Sequence, residues 1–194
     1  MEKKEIDKLK EQLNKVLSFV DPAYIKALLL LQKTLDGVQV EWAVGGDLSE
    51  ALETIQVEPD CIEIVTSKEG AEQIFSAAKS YDLKPLTIQT IKLQRNADIN
   101  GIQYPIYIRR LYSEFFLGSV KIKVQGDMQY KIGDWDWGDK LEFDPEYVNV
   151  AGAKIAVVPL QVKYDIYQNL GWTDRAEKIK QALQKSNYVK SRLF

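Results

Sequence analysis

Residues 42–66 read WAVGGDLSEALETIQVEPDCIEIVT, and their punctuation decides the fold. The apolar pattern over 38–44 predicts a strand, and Gly45-Gly46 breaks it. DLSEALETI is short and helical in pattern. Pro59 then precedes a second strand over 61–65, where Ile62 and Ile64 alternate with Glu63. The unit is therefore strand, tight glycine bend, short helix, strand.

Working outward, Ile6, Leu9, Leu13, Val16, Leu17 and Val20 recur at helical spacing and predict an amphipathic first helix. Asp21-Pro22 reads as an N-cap followed by proline at the first helical position. The second helix runs through KALLLLQKTL and stops at Asp36-Gly37. Downstream, Ser67 caps a helix over 68–81, and 86–93 alternates as a strand. Asn100-Gly101 signals a hairpin. Strands are predicted over 102–111 and 120–124, a loop over 134–139 (DWDWGD), and a last hairpin turning at Ala151-Gly152 and ending in a strand over 155–158. Pro159 opens PLQVKYDIYQNLG, and Thr173 caps a final helix, DRAEKIKQALQKS. The order predicts an α/β (α+β) protein, with a mixed sheet flanked by N-terminal and C-terminal helix pairs. Residues 1–37 are expected to be a helical pair on the core, 38–158 the α/β core, and 159–194 the C-terminal helices of the same domain.

The chain has 194 residues and is 45% hydrophobic, enough for a packed core. Lys+Arg number 26 and Asp+Glu 28, giving a net charge of -2, which argues against a protein that coats nucleic acid. The single cysteine, Cys61, excludes an intramolecular disulfide and a cysteine-based zinc site. The charged N-terminus lacks a signal-peptide core, and the run over 27–31 is too short to span a bilayer, so a cytoplasmic location is expected. There is no histidine, which removes imidazole acid/base chemistry, histidine triads and histidine-bound zinc. Carboxylates with Mg²⁺ remain the natural option.

The glycine bend and the acidic second strand resemble the minimal nucleotidyltransferase superfamily. Its first strand ends in Gly-Gly-Ser, a short helix follows, and the second strand carries an Asp-x-Asp pair. VVPLQVKYDIYQNLGWTDRAEKIKQAL looks like the two-helix end of that family, and VKIKVQGDMQYK falls where its third core strand belongs. The resemblance implies a nucleotidyltransferase-like fold and transfer of a nucleoside monophosphate from an NTP to a hydroxyl acceptor with Mg²⁺. Gly45, Gly46, Asp47 and Lys163 would then face the nucleotide, Glu63 and Asp60 would hold metal, and Glu63 with Asp127 would serve catalysis. Carboxylates at i and i+2 on a strand share a face, which is why the family spaces them so.

The sequence departs from that pattern at each decisive place. Asp47 replaces the serine and also suits a helix N-cap. Cys61-Ile62-Glu63 stands where Asp-x-Asp belongs, and a thiol is a poor ligand for a hard cation. Asp60 and Glu63 fall on opposite faces of a regular strand unless a bulge intervenes. The third carboxylate that the resemblance implies on the neighbouring strand falls near Lys123, and Asp127 reaches the same face only if the strand runs long. Arg109 and Arg110 point to opposite faces, so one of them could hold a phosphate in a cleft. Trp135 and Trp137 share a face if extended. The alternative is a catalytically inactive module on the same scaffold that binds a nucleotide, an RNA or a protein partner. A further alternative is an unrelated interaction protein, a homodimer formed through the N-terminal helices.

Overall fold

A computed structural model describes residue 11 and residues 14–191 of the chain. Ile6, Leu9 and Leu13 of the expected first helix lie outside them. Residues 14–17 are helical, and Val16 and Val20 are buried. Asp21 accepts the Ala23 N–H at 2.8 Å and caps α1 (Pro22–Thr34), with proline opening the first turn. The apolar stripe Ile25, Ala27, Leu28 and Leu31 faces inward.

Next come β1 (Trp42–Gly45), α2 (Gly46–Leu52), β2 (Ile62–Thr66) and α3 (Lys68–Ala77). Ser67 caps α3 by accepting the Gly70 N–H at 3.0 Å. Then follow β3 (Thr87–Lys92), β4 (Ala97–Ile99), β5 (Ile102–Tyr104), β6 (Ile106–Leu117) and β7 (Val120–Ile132). The chain continues through β8 (Glu146–Val150), β9 (Ala153–Val157), α4 (Leu160–Asn169) and α5 (Thr173–Ser191).

Seven strands form one mixed sheet in the order β3-β6-β7-β2-β1-β9-β8. β2 runs parallel to β7, and β1 parallel to β9; the other neighbours are antiparallel. The strand expected over 38–44 is shorter and begins at Trp42. The strand expected over 102–111 is two strands, because Pro105 lacks the N–H that a continuous ladder needs. The strand expected over 120–124 runs on to Ile132.

One sheet face carries Val44, Ile62, Ile64, Phe115, Ile122 and Ile155, which pack with α1, α2 and α3 into the main core. The other face carries Ala43, Val65, Ile108, Met128 and Val158. It is only partly covered by α4 and α5, whose own core includes Leu160, Tyr167, Trp172 and Ile179. The β4–β5 hairpin turns at Asn100-Gly101, both at positive φ, and locks onto the α4–α5 turn. Asp98 N–H donates to Leu170 O at 3.0 Å, and Trp172 Nε1 donates to Asn96 O at 2.8 Å. Gly171 has φ +65 and lies so close to Asp98 that a Cβ there would sit 1.8 Å from its carbonyl oxygen. Among the described residues, no helix is long and apolar enough to cross a membrane.

Candidate functional site

Register builds the site. Gly45 on β1 pairs with Glu63 on β2, and Glu63 pairs with Lys123 on β7, so three adjacent strands present one row on the half-covered face. Above the row lies a cleft of about 340 Å³, closed on the other side by α4 and α5. Its floor is charged, and part of its wall is apolar, formed by Ile91, Leu93, Ile108, Met128 and Leu141.

The Lys123 ammonium lies 3.6 Å from Glu63 Oε1 and 4.0 Å from Asp60 Oδ2. Asp60 precedes the strand, so the pleat does not govern it, and both carboxylates meet one cation. Cys61 donates its S–H to Asp60 Oδ1 at 2.9 Å. Burial, reinforced by that bond, pushes the Cys61 thiol up to about 12, so it stays protonated at neutral pH. The thiol bond, opposed by burial and aided by Lys123, holds Asp60 below the usual carboxylate range. Burial works against the charge on Lys123, yet Cys61, Glu63 and Asp60 keep it above its ordinary value. Gln125 is buried and donates Nε2 to Glu63 Oε2 at 3.1 Å, while its own oxygen accepts from Arg110 Nη1.

These residues do not fit Mg²⁺. A hard cation takes several oxygen ligands, whereas here it would meet a neutral thiol and an ammonium already held by the two acids. Among the described residues, no group of three or more His, Cys, Asp or Glu is arranged to hold a metal.

Gly46 has φ +57, and a Cβ there would lie 2.8 Å from Glu63 Oε2, so the bend and the acid are in close contact. Asp47 is not the N-cap of α2. Gly45 holds that position without a side-chain cap, and Asp47 pairs instead with Arg175 on α5. Arg175 also contacts both oxygens of Glu50, at 3.0 and 3.1 Å. Tyr167 donates its O–H to Glu50 Oε1 at 2.6 Å and lies under the Arg175 guanidinium. Lys163 is buried, donates to Ser49 Oγ, and reaches Gly46 O at 3.5 Å. Burial pulls Lys163 down to about 8, against the pull of Glu50 and Glu53. This network straps α2 to α4 and α5.

The structure thus brings Gly45, Gly46, Asp47, Asp60, Glu63 and Lys163 around one cleft. It does not bring Asp127 there. Arg109 pairs with Gln129 but Leu111 with Gly126, so Asp127 and Met128 form a bulge opposite Arg110, with Asp127 at φ +48. The bulge shifts the alternation by one. Lys123 and Gln125 face the cleft, then Met128 and Tyr130, while Asp127 turns away. Asp127 accepts the Lys68 N–H at the start of α3 at 3.0 Å and pairs with Lys140 at 2.5 Å. It lines a second cavity of about 340 Å³, with Trp42, Thr66 and Phe143.

Of the two adjacent arginines, Arg110 faces the cleft. Arg109 binds Gln129 and covers the Trp137 ring at 4.6 Å. Trp135 packs against Tyr104 and is half exposed. Sequence reasoning missed Glu50, Arg175, Tyr167 and Gln125. Glu50 is buried, but its neighbours in helical register are Gly46, Asp47, Glu53 and Thr54, so the pattern of DLSEALETI gave no sign of an inward acid.

No family model matches the chain, and no curated protein matches it. Among solved structures, a "putative nucleotidyltransferase" from Thermotoga maritima superposes with a TM-score of 0.61 and 25% identity, covering 86% of this chain and 96% of that one. ANT(2″)-Ia, solved in complex with adenylyl-2″-tobramycin, superposes with a TM-score of 0.49 and 9% identity, covering 87% of this chain and 92% of that one. The chain has a nucleotidyltransferase-like fold.

Proposed function

We propose that the cleft binds a nucleotide without a divalent metal and does not transfer it. The observation that carries this reading is the Lys123 ammonium, 3.6 Å from Glu63 on the strand row where the resemblance calls for a third acid. A lysine so placed supplies one positive charge next to the carboxylates, as an ion would, but offers no open coordination position and no Lewis acidity. The apolar wall of the cleft suits a nucleobase. Lys163 then acts as a positioning residue that fixes the bend through Gly46 O and Ser49.

Calorimetric titration with ATP, CTP, GTP and UTP, in Mg²⁺ and again in EDTA, tests the reading. Equal binding in both buffers, retained by Glu63→Gln and without pyrophosphate release, is the expected result. Mg²⁺-dependent binding abolished by Glu63→Gln would restore the transferase reading. No binding, together with a concentration-dependent dimer, would favour an interaction protein.

A further inference from the structure

The cations of the cleft are not all held in ion pairs. Lys123 is held by Asp60 and Glu63 and Arg175 by Asp47 and Glu50, while the buried Lys163 donates to Ser49 Oγ and is attracted by Glu50 and Glu53. Arg110 differs. Its residue surface is only 9% exposed, and no carboxylate among the described residues pairs with it. Its Nη1 donates to the neutral Gln125 amide, and its plane covers the Tyr112 ring at 4.2 Å. Its Nε is buried and has no hydrogen-bond partner. A buried guanidinium with an unused donor, on the wall of an open cleft, lacks an anion. Tyr112 cannot supply one, because its hydroxyl is turned to Glu114.

We propose that the cleft selects a nucleoside monophosphate, with the Arg110 guanidinium receiving its phosphate group. The proposal rests on the reading of the cleft as a metal-free nucleotide site and adds the ligand's phosphate length. One guanidinium with an unused donor and no ion-pair partner matches one phosphate group. A triphosphate would bring its further negative charges against Asp47, Asp60 and Glu63 without Mg²⁺ to neutralise them. A planar guanidinium also suits the paired oxygens of a phosphate better than an ammonium does. Met128, Leu93 and Ile91 then face the base.

The test is titration of the wild-type chain with nucleoside mono- and triphosphates in EDTA, repeated with Arg110→Gln and Arg110→Lys. A monophosphate should bind at least as tightly as its triphosphate, and Arg110→Gln should lose about ten- to hundredfold, with partial recovery in Arg110→Lys. A triphosphate binding tenfold or more tighter, or unchanged affinity in Arg110→Gln, overturns the proposal and leaves metal-free nucleotide binding standing. Absence of binding by any nucleotide defeats the nucleotide reading, and the monophosphate assignment with it. Should Arg110→Gln fail to fold, the Arg110 Nε–H resonance of the wild-type chain decides. A saturable shift on adding the monophosphate, larger than that from inorganic phosphate at equal concentration, supports the contact. No shift with either overturns it.

Discussion

Removing Arg175 should destabilise the fold by about 2–3 kcal/mol through the charge it leaves behind. Glu50 has 4% side-chain exposure and Arg175 28%, so the pair is largely shielded from water. Deleting one partner of a buried pair typically costs about 3–5 kcal/mol, because the other charge stays buried without compensation. Two contacts reduce that figure here. Tyr167 O–H remains 2.6 Å from Glu50 Oε1, and Lys163 still acts on the same acid. Asp47, at 34% exposure, returns to solvent at little cost. Arg175→Met keeps most of the packing and removes only the charge. Urea denaturation should lower the midpoint at unchanged slope. Glu50→Gln removes the stranded charge, so Glu50→Gln/Arg175→Met should be less destabilised than the sum of the single variants by about 1–2 kcal/mol. A loss under about 0.5 kcal/mol in Arg175→Met, or strict additivity in the double variant, would mean that Glu50 is not left as an uncompensated buried charge.

Burial raises Glu53 to about 7, and one of its carboxylate oxygens has no hydrogen-bond partner. The folded state therefore holds a proton that the unfolded chain releases near 4.5, and stability falls as pH rises from about 4.5 to about 7. Glu53→Gln should flatten that part of the stability–pH curve and be more stable than wild type at pH 8, as read by urea midpoints at each pH. Cys61, pushed up to about 12, should react with Ellman's reagent at neutral pH roughly a thousandfold more slowly than an ordinary thiol of pKa about 8.5, and at the ordinary rate once unfolded. Gly171→Ala would drive a Cβ into the Asp98 carbonyl at a positive-φ position. It should cost about 3 kcal/mol or more in the same denaturation assay and loosen the β4–β5 hairpin first in hydrogen exchange.

The caps, turns and strand-bend-helix unit were legible because each rests on local chemistry. Asp21 and Ser67 cap their helices as expected, and Asn100-Gly101 and Ala151-Gly152 turn their hairpins. The alignment of Glu63 with Lys123 was legible from the resemblance together with strand alternation. The fate of Asp127 was not. Gly126 in QGDMQY is the one local sign of a break in the strand, but it does not say which way Asp127 turns; Gly126 packs on Ala71 and Ser67, a contact that only the folded chain reveals. The role of Asp47 was hidden likewise, since Arg175 lies 128 residues away along the chain. The shared ammonium between Asp60 and Glu63 depends on residues before β2 leaving the pleat, which face-counting along a regular strand misses.

Mn²⁺ binding, followed by the loss of its free-ion electron paramagnetic resonance signal, tests most directly whether Lys123 has displaced the metal. The wild-type chain should leave the free-ion signal intact at millimolar Mn²⁺ in the absence of nucleotide, and Cys61→Asp/Lys123→Asp should capture the ion. Saturable micromolar capture of Mn²⁺ by the wild-type chain would show that Lys123 leaves a divalent-metal site open.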